Sequence, residues 1–153
     1  MPTIAEGSAA PDFDLETPDG RVRLSDFSGK TLVLYFYPKD DTPGCTKEAQ
    51  AFTDLTDEFS KAGATVVGVS KDSVAAHRKF ATKYQLAVNL GSDPEGAVIE
   101  AYGSWVEKSM YGRSYKGIDR STFLIRDGRI EKVWRKVKVP NHAAEVLATV
   151  QGR

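Results

Sequence analysis

Cys45 is the single cysteine of this sequence, and it stands in the run Thr42-Pro43-Gly44-Cys45, where an apolar segment gives way to a helical pattern. If Thr42 is the N-cap, Pro43 takes the first helical position and Gly44 leaves the backbone amides open to a small ligand. Those amides and the helix dipole favour the thiolate over the thiol. The sequence therefore presents Cys45 as a candidate nucleophile.

The Thr42 hydroxyl is expected to serve the same site. In this register its oxygen accepts from the N–H of Gly44 or Cys45, and its own hydrogen stays free to meet a ligand or the sulfur. An ionised sulfur is not sufficient, because a less basic thiolate is also less nucleophilic and the leaving group needs a cation, which the local sequence lacks. The alternative of an inert buried cysteine stays open, since free cysteine commonly fills an apolar interior.

The composition excludes several classes of protein. The 153 residues suit one domain, which we expect to span residues 1–153. Basic and acidic residues number 21 each, so no broad electrostatic attraction to nucleic acid or an anionic membrane is expected. Cys45, His77 and His142 are too few for a disulfide framework or a usual zinc site. With neither a membrane-length apolar run nor a leader pattern, we expect a cytoplasmic protein without metal or cofactor.

Other motifs are given no catalytic role. Gly29-Lys30-Thr31 resembles the end of a phosphate-binding loop, but Leu24 stands where that loop requires glycine. Cysteine hydrolysis needs a histidine base, and both His77 and His142 are interpreted as surface or packing residues.

Three acidic residues near the cysteine are also interpreted as ordinary surface chemistry. Asp40 and Asp41 precede a proline in a loop, where carboxylates are usually solvated. Glu48, one turn after Cys45, is expected to cap or pair locally.

Apolar runs and helical stripes alternate along the chain. Strands are expected at residues 31–37, 64–70, 86–91, 121–125 and 129–135, the last two joined by a turn at Asp127-Gly128. Helices are expected from the Cys45 region to just before Gly63, over residues 74–84, from Asp93-Pro94 to about Tyr102, and after an Asn141 cap. Residues 104–119 have no clean period and are interpreted as a long loop. The order predicts an α/β domain with about five core strands flanked by helices.

Taken together, these segments resemble one known family. The spacing Pro38-x-x-x-Thr42-x-x-Cys45 within YFYPKDDTPGCTKEAQAF is similar to the active-site signature of the peroxiredoxins. Further matching segments make the resemblance cover nearly the whole chain and point to the peroxiredoxin Q branch, also called bacterioferritin comigratory protein. They are APDF at residues 10–13, LSDFSGK at 24–30, SDP at 92–94, and residues 111–112 and 117–125.

The resemblance implies a thioredoxin-like fold with a mixed sheet and an N-terminal extension. It also implies reduction of hydrogen peroxide or organic hydroperoxides through a sulfenic acid on Cys45. Arg120 matches the family's arginine and supplies the missing cation that holds thiolate and peroxide. Thr42 is implied as a hydrogen-bond partner, Pro38 as a shield, and the amides of Gly44 and Cys45 as donors to the peroxide.

The sequence departs from the family where many members carry a second, resolving cysteine. Gln50 stands at one such position, and Phe80 and Ala81 stand near the other. The resemblance therefore implies a one-cysteine monomer recycled by an external thiol, such as glutathione, glutaredoxin or thioredoxin.

Two functions other than a peroxidase remain open at this stage. One is a redox sensor or holdase oxidised once at Cys45, which turnover distinguishes from an enzyme. The other is a thioredoxin-fold binding module whose cysteine is vestigial.

Overall fold

The computed structural model describes residues 4–152, which form nine strands and five α-helices. The strands are β1 (Asp14–Thr17), β2 (Gly20–Arg23), β3 (Thr31–Phe36), β4 (Ala64–Ser70), β5 (Asn89–Ser92), β6 (Trp105–Met110), β7 (Arg113–Ile118), β8 (Ser121–Arg126) and β9 (Arg129–Trp134). The helices are α1 (Pro43–Asp54), α2 (Thr56–Lys61), α3 (Val74–Tyr84), α4 (Ala97–Ala101) and α5 (His142–Val150). Within the described residues, no helix has the length and apolar character needed to cross a membrane.

Seven strands form one mixed sheet in the order β2-β1-β5-β4-β3-β8-β9. The central strands β3, β4 and β5 are parallel to one another. Strand β8 pairs antiparallel with β3, and β9 pairs antiparallel with β8, which extends the sheet on one side. The five expected core strands are therefore present. The β1–β2 hairpin, which belongs to the N-terminal extension, adds two more strands at the other edge through β5.

The sheet is covered on both faces, as the continuous apolar run of β3 predicts. All six residues of β3 are buried, and successive side chains alternate between two hydrophobic cores. Val33 and Tyr35 pack with α1, α2, α3 and α5 on one face. Leu32, Leu34 and Phe36 pack with α4 and the N-terminal hairpin on the other.

The predicted loop at residues 104–119 is wrong, because β6 and β7 form a two-stranded antiparallel sheet there. The hairpin turns at Tyr111 and Gly112, which both have positive φ, 53° and 77°. Most of its residues are exposed, so the sequence shows no period-two apolar alternation to mark the strands. The turn also lacks the Asn-Gly or Asp-Gly pair that marks a tight hairpin.

Three helix predictions also differ in detail. The helix after Cys45 breaks into α1 and α2 at Leu55. Helix α4 begins at Ala97 after Gly96, later than predicted, although the Asp93 carboxylate still accepts from the N–H of Ile99 over 2.8 Å. Asn141 does precede α5, but its backbone is left-handed, with φ 65°, and its side chain makes no capping hydrogen bond.

Candidate active site

Cys45 lies in the first turn of α1, just after the loop that leaves β3. Thr42 is the N-cap and Pro43 the first helical residue, as predicted. The N–H of Thr46 makes a bond to the carbonyl of Thr42 over 2.8 Å, so the N–H groups of Gly44 and Cys45 precede the helical ladder. Cys45 is 2% exposed. Cys45 is therefore buried at the start of a helix, where the first backbone N–H groups have no intrahelical acceptor.

The Thr42 side chain does not cap the helix, contrary to the sequence-based expectation. Its hydroxyl donates to the carbonyl of Lys39 over 2.8 Å, because the loop turns back on itself before the helix begins. The hydroxyl hydrogen is thus engaged. The oxygen retains its capacity to accept a hydrogen bond.

Arg120 comes from the segment between β7 and β8 and reaches the sulfur. Strand β8 begins beside the end of β3, with Ser121 opposite Phe36, and this pairing brings Arg120 to the edge from which α1 starts. The guanidinium Nη2 lies 3.2 Å from Sγ of Cys45. A Cβ on Gly44 would lie 3.4 Å from the same Nη2, so the missing side chain leaves room for the guanidinium. The cation implied by the resemblance is in contact with the sulfur.

Glu48 binds the second terminal nitrogen of the Arg120 guanidinium, a contact that the sequence does not predict. Its Oε1 lies 2.6 Å from Nη1 of Arg120, while its Oε2 has no hydrogen-bond partner among the described residues. Burial raises the pKa of Glu48 to about 7, although the nearby guanidinium opposes that shift. The spacing of three residues from Cys45 to Glu48, on one face of a helix, was the signal available in the sequence.

The pKa of Arg120 reflects the same arrangement. Burial acts to lower the pKa of Arg120, but its interactions with the side chains of Glu48 and Cys45 outweigh burial and raise it above the ordinary arginine value. Arg120 therefore stays a cation at the site.

Asp40 is buried and bonded, so its interpretation as a solvated residue is wrong. Its Oδ2 lies 2.7 Å from Nδ1 of His77, and its Oδ1 accepts from the Tyr37 hydroxyl over 2.5 Å. Nε2 of His77 lies 3.0 Å from the carbonyl of Gly91. Because that carbonyl can only accept, Nε2 carries hydrogen, and a proton is shared between Nδ1 and Asp40. His77 thus ties the active-site loop, residues 37–42, to α3 and β5.

Asp41 makes a second, exposed link to α3. Its carboxylate lies 2.8 Å from Nζ of Lys83 and accepts from the Tyr84 hydroxyl. These bonds lower its pKa, and its φ is positive at 58°. Both aspartates of the loop are therefore bound to one helix, one inside the protein and one at its surface.

The predicted site residues differ in how closely they meet. Cys45, Gly44 and Arg120 lie together, whereas Pro38 is exposed at the start of the loop. No side-chain hydrogen bond within residues 4–152 joins Thr42 to the sulfur or the guanidinium, and the Pro38 side chain has no polar atom that could make one. No hydrogen bond within the same residues joins a histidine to Cys45, so a hydrolase dyad is not formed.

His142 is a packing residue, as the sequence suggests, although it is buried. Its Nε2 lies 2.8 Å from the hydroxyl of Thr122, and its ring meets Phe52 and Trp134 edge to face. Burial lowers its pKa to about 4, so it is neutral at pH 7.

Comparisons with known proteins agree with this geometry. The model of the AhpC/TSA family matches residues 7–133. A putative peroxiredoxin bcp of Coxiella burnetii is 53% identical over 147 residues, which cover 95% of this chain and 97% of that protein. Peroxiredoxin Bcp of Bacillus subtilis is 49% identical over 151 residues, with 97% and 96% covered.

A solved structure supports both the fold and the family. Peroxiredoxin Q of Xanthomonas campestris superposes with a TM-score of 0.88 at 45% identity, covering 92% of this chain and 90% of that one. The mixed sheet and its helices are thus those of a thioredoxin-like fold, as the resemblance implied. The chain belongs to the AhpC/TSA family and, within it, to the peroxiredoxins of the Bcp or peroxiredoxin Q group.

Proposed function

We propose that Cys45 is the peroxide-reducing residue and that Arg120 stabilises the charge that moves through the reaction. As a Bcp-type peroxiredoxin the protein is a thiol-dependent peroxidase. The observation that supports these two roles is the distance of 3.2 Å between Nη2 of Arg120 and Sγ of Cys45. A cation at that distance stabilises the thiolate, and later the oxygen that leaves the peroxide.

In the first step the thiolate attacks the terminal oxygen of a hydroperoxide. An S–O bond forms, the O–O bond breaks, and the leaving oxygen takes a proton to become water or an alcohol. Sulfur loses two electrons and the peroxide gains them. Cys45 is left as a sulfenic acid, and the step uses no metal or organic cofactor.

The remaining site residues are assigned to binding the peroxide. The N–H groups of Gly44 and Cys45 stand before the helical ladder and are available as donors. The Thr42 oxygen is available as an acceptor because its hydrogen is given to Lys39. Pro38, at the mouth of the loop, shields the site from bulk water. Hydrogen peroxide and organic hydroperoxides both present the small terminal oxygen that this site takes.

An external thiol completes the cycle, since Cys45 is the single cysteine. The sulfur of the external thiol attacks the sulfenic acid, which forms a mixed disulfide and releases water. A further thiol then attacks the mixed disulfide and frees Cys45. Glutathione, glutaredoxin and thioredoxin are the candidate donors. We propose that the protein works as a cytoplasmic monomer.

Replacing the sulfur tests the proposal. Cys45→Ser should abolish peroxide consumption in a steady-state assay with dithiothreitol, because a serine hydroxyl at this position is not ionised at neutral pH. Wild-type protein treated with one equivalent of peroxide should gain one oxygen atom on Cys45 in a mass spectrum. A serine variant with wild-type turnover, or an unmodified Cys45, would refute the assignment.

A further inference from the structure

The large apolar side chains most exposed among residues 4–152 all lie on the β6–β7 hairpin. Tyr111 at the turn is 97% exposed, Met110 is 56% exposed and Tyr115 is 45% exposed. Elsewhere in the described chain, side chains of this size are buried or partly covered. A concentration of exposed aromatic and methionine side chains on one element marks a contact surface.

The strand register places two of these residues on one face of the ribbon together with two cations. Lys108 pairs with Tyr115, and Met110 pairs with Arg113, so these four share a face that we call the tyrosine face. Lys108 and Tyr115 approach each other across Gly117, where a Cβ would lie 3.5 Å and 3.6 Å from their side chains. The tyrosine face carries no carboxylate.

The opposite face of the ribbon is different. Its outer pairs are Glu107 with Lys116 and Ser109 with Ser114, in which charge is balanced or absent. Its inner pair, Trp105 with Ile118, packs into the core beneath the sheet. The ribbon is thus anchored by one face and presents the other, with the Tyr111 turn, to solvent.

The hairpin is joined directly to the catalytic arginine. Arg120 follows β7 by two residues, and the base of the hairpin is fixed by two bonds. The hydroxyls of Ser104 and Ser121 lie 2.6 Å apart, and the N–H of Asp119 donates to the carbonyl of Ser104 over 2.7 Å. The base of the hairpin therefore lies close to Arg120, whereas the Tyr111 turn lies at the other end of the six-residue strands, about 20 Å away. A partner protein that covers the tyrosine face along both strands extends from the turn toward the sulfur that Arg120 contacts.

We propose that the tyrosine face and the Tyr111 turn dock the protein that reduces oxidised Cys45, an inference that rests on the proposed function. The partner is a small protein with a dithiol beside an apolar patch and flanking carboxylates. Tyrosine, methionine and arginine are the residues enriched at protein contacts, and the two unbalanced cations select an acidic surface. A face of one short ribbon is small for a stable dimer but matches the limited contact of a transient redox complex.

The reaction at this complex balances without a further reagent. One partner thiolate attacks the sulfur of the sulfenic acid, an S–S bond forms, and the hydroxyl leaves as water with one proton. The second partner thiol attacks the mixed disulfide and releases Cys45 as a thiol. The partner gives up two electrons and becomes a disulfide.

The test compares a protein reductant with a small one. The triple variant Met110→Thr, Tyr111→Asn and Tyr115→Thr removes the apolar groups, and asparagine tolerates the left-handed backbone of residue 111. Peroxide turnover is measured with a bacterial thioredoxin, its reductase and NADPH, and separately with dithiothreitol. We expect kcat/KM for thioredoxin to fall about tenfold or more, as for the loss of contact residues. Turnover with dithiothreitol and the rate of Cys45 oxidation should stay at wild-type values.

A charge pair of variants separates docking from general electrostatics. Lys108→Glu with Arg113→Glu should lower kcat/KM for thioredoxin, most strongly at low salt. Lys30→Glu with Lys79→Glu makes the same change in net charge at exposed lysines, and Lys30 stands just before the start of β3, at the opposite end of that strand from α1. This control should leave the value unchanged.

Four outcomes would overturn the inference. One is equal thioredoxin kcat/KM in the wild type and the triple variant, and another is reduction by glutathione but not by thioredoxin. A wild-type dimer that the triple variant dissociates, seen by sedimentation, would assign the face to a second copy of this chain. No turnover with dithiothreitol would remove the proposed function as well, which distinguishes that failure from a failure of docking alone.

Discussion

The active-site loop and the β6–β7 hairpin flank one guanidinium and differ in what their side chains contact. In the loop, Asp40 and Asp41 bond to α3, and the Thr42 hydroxyl bonds to the backbone. In the hairpin, Tyr111 extends into solvent, and no salt bridge within residues 4–152 involves Lys108 or Arg113. Arg120 lies between the two, bound to the sulfur on one side and two residues from the hairpin on the other.

This difference separates two requirements of a peroxidase. Attack on a peroxide gains from groups fixed in advance at the reacting atoms, since they need not reorganise as charge moves. Exchange with a reductant needs a surface that is free between encounters. The protein meets the first requirement with buried bonds and the second with an exposed ribbon, so mutations in the two regions should affect different steps.

Removing Arg120 should give the largest effect and confine it to the peroxide step. Arg120→Ala takes away the cation 3.2 Å from the sulfur, and we expect the second-order rate of Cys45 oxidation to fall by about 10²–10³-fold. Arg120→Lys keeps the charge but loses the bidentate geometry, so its oxidation rate should lie between those of the wild type and Arg120→Ala. Stopped-flow oxidation by hydrogen peroxide measures the rate.

A double variant is the control for this experiment, because Arg120→Ala alone leaves Glu48 buried without its partner. Arg120→Ala with Glu48→Gln removes that charge and should restore stability while the oxidation rate stays low. Recovery of the rate in the double variant would show that Arg120 acts through folding and not through contact with the sulfur.

The two loop aspartates offer a comparison of stability within the loop itself. Asp40→Ala leaves His77, which is 0% exposed, and the Tyr37 hydroxyl without their partner, and should lower the free energy of unfolding by about 4 kcal/mol. Asp41→Ala loses an exposed pair and places alanine in a left-handed conformation, and it should cost less than Asp40→Ala. Urea denaturation followed by fluorescence measures both. Equal costs for the two variants would show that the buried bond carries no extra stability.

The sequence predicts the parts of this molecule whose signals are local. A few neighbouring residues are enough to predict three of them: the apolar run of β3, the Thr-Pro-Gly-Cys start of α1 and the Asp-Gly turn between β8 and β9. The contact of Cys45 with Arg120 spans 75 positions. The residues around Cys45 do not indicate it, and only the resemblance to the peroxiredoxins predicts it.

The sequence fails where structure depends on distant partners or on exposed strands. Asp40 has the local pattern of a solvated carboxylate, and only the packing of α3 brings His77, 37 positions away, into contact with it. The β6–β7 ribbon is exposed to water along most of both strands, so burial imposes no alternation of apolar and polar residues on its sequence. The sequence places Glu48 one helical turn after Cys45, but it does not identify Arg120 as the partner of Glu48.

Glu48 should also make the stability of the protein depend on pH. Burial raises its pKa from 4.5 to about 7, so between these values the folded protein keeps a proton that the unfolded chain releases. Stability from this group is complete below pH 4.5 and is lost as pH rises through 7. The loss amounts to about 3 kcal/mol from a shift of this size. Urea denaturation of the wild type and Glu48→Gln across this range measures it. Glutamine cannot ionise, so stability of the wild type relative to the variant should fall steadily with pH. A constant difference would mean that Arg120 fully compensates the buried carboxylate. Glu48 would then be ionised in the folded protein across this range of pH.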